Sequence, residues 1–495
     1  MTLFNLKQFE KLKGDVLHRA WYHDISPADC KALSIAIFRL TNMLISETTL
    51  KRVYGFAYSK FKPSLFTLNA MARYCDYTGW ADFCDHNEPN TKDAKTIDVC
   101  WENIKNSAHK ITGFTLQVLK NRSGIPYNQT IKRKFITDHF EAFLSRDYIA
   151  TSLIAPAGYG KTLALCHWVE ERLEQNDNGN SNDIILFFSS NALINIFLSG
   201  KDINEWMLSL LGYGTDTDFS TLLEADKKHD GNFYLIVDGL DEHTFKNEQF
   251  ELLFEQILNI FSFYQLHSSF KLILSMRTST WINHRHKIEN FNDKWFDGFV
   301  TANDECINVP LFNINEIRNL CTNINPATQN FIGIEVAENF NHPLYFQFYY
   351  QQHKHNFSLS NVDHVCIYEL QSIFILNKVY LGPHAAEKTL IIKELVEAMD
   401  LSAQNFDVHK YVLSDTIRKY NAAYNDLLGI GFIREVNNSS NMRYNAVIQF
   451  CNDSFLNYSI ARTLLFKHGN LFNLDMINEL NSLFDSERKL QLLKW

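Results

Sequence analysis

Three carboxylates crowd the end of one apolar run. In YLIVDGLDEH (234–243), Asp238, Asp241 and Glu242 follow directly on Tyr234–Val237. The run lacks alternating polar residues, so it reads as a short strand of the parallel type, buried on both faces. Open α/β sheets hold their ligands at such carboxyl tips. Carboxylates this close together need a cation or a shared proton to relieve their repulsion.

The positive partner lies upstream. APAGYGKT (155–162) follows the strand-like run YIATSLIA (148–155) and opens a helical pattern, the context in which a phosphate loop is expected. Gly158 and Gly160 permit the backbone conformations that turn successive N–H groups inward to make an anion nest. The start of the next helix adds its partial positive charge. Ala155 stands where the strict pattern has its first glycine, and Pro156, Ala157 and Tyr159 complete the loop. Lys161 can reach β and γ phosphates, and the Thr162 hydroxyl can coordinate Mg²⁺ together with Asp238. Asp241 and Glu242 are both candidates to orient or deprotonate an attacking water, and the residues do not choose between them. A neighbouring run, KLILSMRTS (271–279), ends in Arg277, placed to sense a γ-phosphate or to stabilise developing charge.

The elements that must position these groups follow from the pattern. The runs 148–155, 183–189, 233–238, 270–275 and 306–310 are strand-like, with helical segments such as 162–175 and 247–266 between them. Alternation of this kind predicts βαβ units and a parallel sheet. Before it, residues 33–45, 46–55 and 63–83 read as helices, with Ser46 a cap, Gly55 a stop and Pro63 an opening residue. HNEPNTKDAKT (86–96) reads as a linker. After it the chain turns helical again, interrupted by a hairpin pattern over 431–450 with polar turn chemistry at its centre.

At 495 residues the chain exceeds one core and suggests about three domains. A net charge of −9 argues against a chain-wide nucleic-acid coat. No apolar run approaches the roughly 18 residues that cross a bilayer. The nine cysteines are scattered without a CxxC pair, so zinc is not expected and a reducing cytoplasm is.

Together, APAGYGKT, LIVDGLDE and LILSMRTS resemble the NACHT branch of the STAND class of signal-transducing NTPases, DGLDE being the most specific element. VPLFNINEIRNL (309–320), NHPLYFQFY (341–349) and FCNDSFLNYSIARTLL (450–465) are similar to later parts of that family. The resemblance implies a P-loop NTPase with a parallel sheet over 146–310, a helical lid over 311–395 whose Pro343 packs on adenine, and a winged-helix-like domain over 396–465. A short helical tail, 466–495, follows, and 91–145 leads into the NTPase. It further implies an ATP/ADP switch with Mg²⁺ and slow turnover, closed with ADP and self-associating after exchange, used in bacterial anti-phage defence with a phage-derived trigger. Where the family usually has a winged-helix histidine and a glutamate, this chain has Asn452 and Asn457.

Residues 1–90 are similar to repressor-type helix-turn-helix domains in TLKR (49–52) and PSLFTL (63–68). Lys51, Arg52, Lys60 and Lys62 occur there without an acid between 51 and 62, interleaved with Tyr54, Tyr58 and Phe61. The segment carries 11 basic against 9 acidic residues. Binding to DNA and binding to a protein partner both remain open for it. A defence switch and an ATP-dependent helix-turn-helix transcriptional regulator are accordingly the two functional readings.

Overall fold

The computed structural model describes residues 6–22, 25–41, 43, 45–56, 63, 65–87, 101–179, 181–199, 201–213, 223, 231–242, 247–288, 293–299, 307–326, 333–359, 362, 364–437 and 446–495. The chain divides into two compact units, Met1–Val99 and Cys100–Trp495.

In the first unit, helices Leu6–Arg19, Asp29–Thr41, Glu47–Val53, Leu65–Tyr74 and Trp80–His86 enclose a small core around Leu12, Leu33, Leu50, Met71 and Phe83. Ser46 caps the third helix by accepting the Thr49 amide at 3.1 Å, and Gly55 follows it at φ +81. The helix expected over 63–83 is two helices. Asp76 takes φ +68 between them, and Gly79 precedes Trp80, whose amide is held by the Asn69 side chain at 2.8 Å. Tyr58, Lys60, Phe61 and Lys62, and most of the expected linker, lie outside the described residues.

The second unit is built on five parallel strands: β1 Ala150–Ile154, β2 Ile184–Ser189, β3 Phe233–Asp238, β4 Phe270–Met276 and β5 Trp295–Phe296, in the order β2-β3-β4-β1-β5. Their uniformly apolar runs are buried along almost their whole length, as a sheet covered on both faces requires. One strand, β4, stands between the loop strand β1 and the acidic strand β3, with Ile154 in register with Met276 and Val237 with Leu274.

The edge of β2 is closed by the helix Trp101–Asn121. Its buried Thr112 hydroxyl donates to the Ile185 carbonyl at 2.6 Å and accepts the Phe187 amide at 3.0 Å. Unpaired strand groups are costly, and the hydroxyl threaded between these two satisfies both.

The expected strand at 306–310 is not one. The fifth strand is β5, earlier in the chain, where Trp295 and Phe296 pair with β1. Residues 307–310 run beside the C-terminal half of β1, where the Asn308 amide donates to Ile154 O (3.0 Å) and its side chain accepts from Ile154 N (2.7 Å) and donates to Ser152 O and Asp297 O (2.7 Å each). One backbone bond is supplemented by side-chain bonds in place of a continued ladder, which apolar patterning alone does not reveal. The hairpin expected over 431–450 is present as antiparallel β7 (Ile433–Asn437) and β8 (Ala446–Phe450); β6 (Val408–His409) joins β8 to give a second sheet.

Replacing Asn308 by Leu takes the partner from the buried Ile154 amide and Ser152 carbonyl and from the part-buried Asp297 carbonyl. The expected loss is about 3 kcal/mol of unfolding free energy, read as a lower denaturation midpoint with unchanged slope.

Candidate nucleotide-binding site

The loop 155–160 leaves β1 and enters the helix Lys161–Asp177 through two left-handed glycines, Gly158 at φ +86 and Gly160 at φ +84. An L-residue is strained in that region. At Gly158 space is closed as well, because a Cβ would stand 3.0 Å from Leu344 Cβ. The helix Pro343–His353 therefore begins directly over the loop. His342 caps it, its Nδ1 accepting the Leu344 amide at 3.2 Å, and its ring meets Tyr159 edge-on at 5.0 Å. Burial depresses the His342 pKa to about 4, so the ring is neutral near pH 7.

A cavity of about 330 Å³ opens between the loop and the helix Pro343–His353. Of the residues expected from sequence, Gly158, Gly160, Lys161, Thr162, Asp238, Glu242 and Pro343 line it. Asp241 and Arg277 line a neighbouring cavity, which Glu242 and Ala157 share. Ala155 and Pro156 contribute carbonyls that accept from Lys161 Nζ at 2.6 and 2.9 Å.

The charges are buried and mutually supporting. Desolvation lowers the Lys161 pKa to about 8, against the pull of Asp241, Glu242 and Asp238. Desolvation raises Asp238 to about 6, opposed first by the Ser275 hydrogen bond and reinforced by Glu242. Asp238 accepts from Thr162 Oγ1 at 2.8 Å and from Ser275 Oγ at 2.6 Å. The DGLDE glycine has a backbone reason. Gly239 sits at φ +62, a left-handed conformation that strains an L-residue, with the Glu242 carboxylate folded back over it.

Asp241 accepts the Arg277 amide at 2.8 Å and the Thr280 hydroxyl, while its other oxygen is buried without a hydrogen-bond partner. The Arg277 guanidinium lies 3.8 Å from Asp426, on the helix Asn421–Gly429, and the buried Lys388 pairs with the same carboxylate. The loop itself is held from that side too: the Ala157 amide donates to the Gly429 carbonyl at 2.9 Å. At Gly431 (φ +70) a Cβ would come within 2.9 Å of Pro156.

This is a P-loop NTPase fold. The parallel sheet, the glycine-cradled loop at the tip of β1 and the aspartate at the tip of β3 establish it within the chain itself. No protein-family model and no curated protein matches the sequence. Among solved structures, the chain is similar to the Aeropyrum pernix ORC1 protein in complex with DNA, with 11% identity over 69% of this chain and 94% of that one and a TM-score of 0.33. The Aeropyrum pernix ORC2 protein in ADPNP-ADP complexes aligns at 9% identity over 68% and 93%, with a TM-score of 0.34. A chain of Drosophila ORC bound to AT-rich DNA and Cdc6 aligns at 12% identity over 74% and 97%, with a TM-score of 0.21.

The residues suit a magnesium–nucleotide ligand. Thr162 and Asp238 offer adjacent hard oxygens of the kind Mg²⁺ prefers, and the side-chain-free glycines leave a cradle for phosphate.

Sequence reasoning missed several contributors. Ser275 ties Asp238 to the Gly239 amide, which donates to its hydroxyl at 2.7 Å. A serine inside an otherwise apolar buried run was its signal, since a buried hydroxyl must find partners. Arg133, buried, donates from Nε to Glu316 at 3.0 Å and from Nη2 to the Pro310 and Leu311 carbonyls at 2.7 and 2.9 Å. Its Nη1 reaches the Tyr159 carbonyl of the loop at 3.3 Å. No local pattern marks that long-range clamp. Asn452 caps the helix Asp453–Lys467 by accepting the Phe455 amide at 2.9 Å, and Asn457 accepts from Arg488 at 2.8 Å.

Because the folded Asp238 pKa lies above its unfolded value, its burial costs nothing below pH 4 and costs most above pH 6. Asp238→Asn is therefore expected to stabilise the protein by about 3 kcal/mol at pH 8. The gain should grow from pH 4 to 6 and level off above, as measured by denaturant titration across that range.

Proposed function

We propose that this chain is an ATP/ADP-operated switch of the NACHT-like STAND kind, with slow hydrolysis. The observation that carries the reading is the engagement of the phosphate loop by the C-terminal half of the same unit, through Ala157–Gly429 and Arg277–Asp426–Lys388. A bound nucleotide with Mg²⁺ supplies a γ-phosphate whose presence or loss the site reads. Lys161 and the loop amides hold phosphates, while Thr162 and Asp238 hold the metal. Pro343 closes over the base, and Asp241 or Glu242 orients the water. Arg277 has two alternative attractors, the carboxylate of Asp426 and the charge developing on phosphate. Two packings that differ in which one it satisfies are biased by the nucleotide. Oligomerisation after exchange and a role in anti-phage signalling belong to the same reading.

In the N-terminal unit Lys51 is ion-paired with Glu47 at 2.7 Å. This half-exposed pair one turn apart on a helix is weak and yields readily to a phosphate, so it does not choose between DNA and a protein partner for residues 1–90. Salt-dependent duplex binding by the full chain would decide for the transcriptional regulator.

Lys161→Ala is expected to weaken ATP binding at least 100-fold with an unchanged circular dichroism spectrum. Saturable binding of a fluorescent ATP analogue at wild-type affinity would end this account. Asp426→Ala, by releasing Arg277, is expected to speed ADP release about tenfold in stopped-flow measurements, with Lys161-dependent binding retained.

A further inference from the structure

A second cavity, of about 610 Å³, lies far along the chain, between the turn Leu376–Tyr380 and helices Asp453–Lys467, Leu474–Leu483 and Ser486–Leu493. No residue of it lines the nucleotide cavity. The volume falls within the roughly 300–1,000 Å³ of small-molecule sites. Its wall is aliphatic and aromatic, with Ile375, Leu480 and Leu492 buried. Trp495 packs edge-on to Tyr368 at 5.4 Å and to Tyr458 at 5.3 Å, and the Tyr458 hydroxyl donates to that of Tyr380 at 2.6 Å. These contacts fix the aromatic side of the wall.

Two features point to a ligand. The turn Leu376–Tyr380 is wound as a π-helix, a costly geometry that recurs at functional sites. Arg462 is the one charged side chain on the wall. It is exposed and, among the described residues, forms no hydrogen bond or ion pair. An apolar chamber with one unneutralised cation at its rim complements a molecule of the opposite design. We propose that this cavity binds a monomeric anionic amphiphile, such as a long-chain carboxylate, with its head group on Arg462 and its chain among the leucines.

The π-turn also gives such a ligand a route to the phosphate site. The Lys378 carbonyl accepts from Lys388 Nζ at 2.7 Å, and Lys388 pairs with Asp426, the partner of Arg277. Repacking of the turn would shift that lysine and alter the hold on Arg277. This regulatory consequence rests on the switch reading; the binding does not.

The test uses the full chain, without nucleotide, and a dansyl-labelled undecanoate displaced by oleate. One saturable site is expected. Arg462→Gln should weaken it about tenfold, oleyl alcohol should compete at least tenfold less well than oleate, and Leu480→Trp should abolish binding. Arg462 is exposed, so its variant tests the site even if Leu480→Trp does not fold. Absence of saturable binding overturns the proposal, as does equal competition by acid and alcohol with an indifferent Arg462→Gln. Uptake by anionic phospholipid vesicles with none of the monomer overturns it as well. Oleate that binds yet leaves ADP release unchanged overturns the regulatory consequence alone.

Discussion

Lys161 and Asp238 are both charged near neutral pH and both buried, at the start of one helix and the tip of one strand. Isolated, each would cost several kcal/mol to desolvate. The surrounding structure exists largely to make that tolerable. Loop carbonyls take the ammonium, and two hydroxyls take the carboxylate. The parallel sheet, by ending β1, β3 and β4 side by side, brings those groups from residues far apart in the chain to a single edge. A site that keeps its charges dry is destabilising to carry and strong when it meets phosphate and metal, because low dielectric magnifies the interactions they make.

The same constraint explains why the loop is contacted from two directions. From one side, the helix starting at Pro343 closes over Gly158 and Gly160, and Arg133 fastens the loop carbonyl of Tyr159 to the Pro310–Glu316 segment. From the other, the turn at Gly429–Gly431 approaches so closely that any side chain at Gly431 would collide with Pro156. Neither approach would survive a bulkier loop. Small residues around APAGYGKT thus serve two purposes, admitting an anion and admitting the neighbouring elements.

Arg277 is where these demands meet. Its amide binds Asp241, its guanidinium reaches toward Asp426, and its Nε is buried without a hydrogen-bond partner. A buried donor left unpaired is a cost that a different arrangement can recover. The acidic cluster, the arginine and the helix Asn421–Gly429 therefore form one electrostatic unit, although they lie up to about 190 residues apart in the chain.

Much of this was legible beforehand, because its signals are local. A phosphate loop needs glycines at fixed offsets after a strand, and APAGYGKT has them; a buried parallel strand needs an uninterrupted apolar run, and β1 to β4 have that too. The expected groups Gly158, Gly160, Lys161, Thr162, Asp238, Glu242 and Pro343 meet at one cavity. What the sequence could not decide depends on partners distant in the chain. The fifth strand is Trp295–Phe296, paired with Ala150 and Thr151, while Asn308 holds Ser152 and Ile154 largely through its side chain. Arg277 lay at the expected strand tip, but its guanidinium direction is set by Asp426, about 150 positions later. Ser275 and Arg133 acquire their meaning only from what folding brings beside them. Periodicity and turn chemistry report on neighbours within a few residues; the pairing of charges across elements is decided by tertiary packing alone.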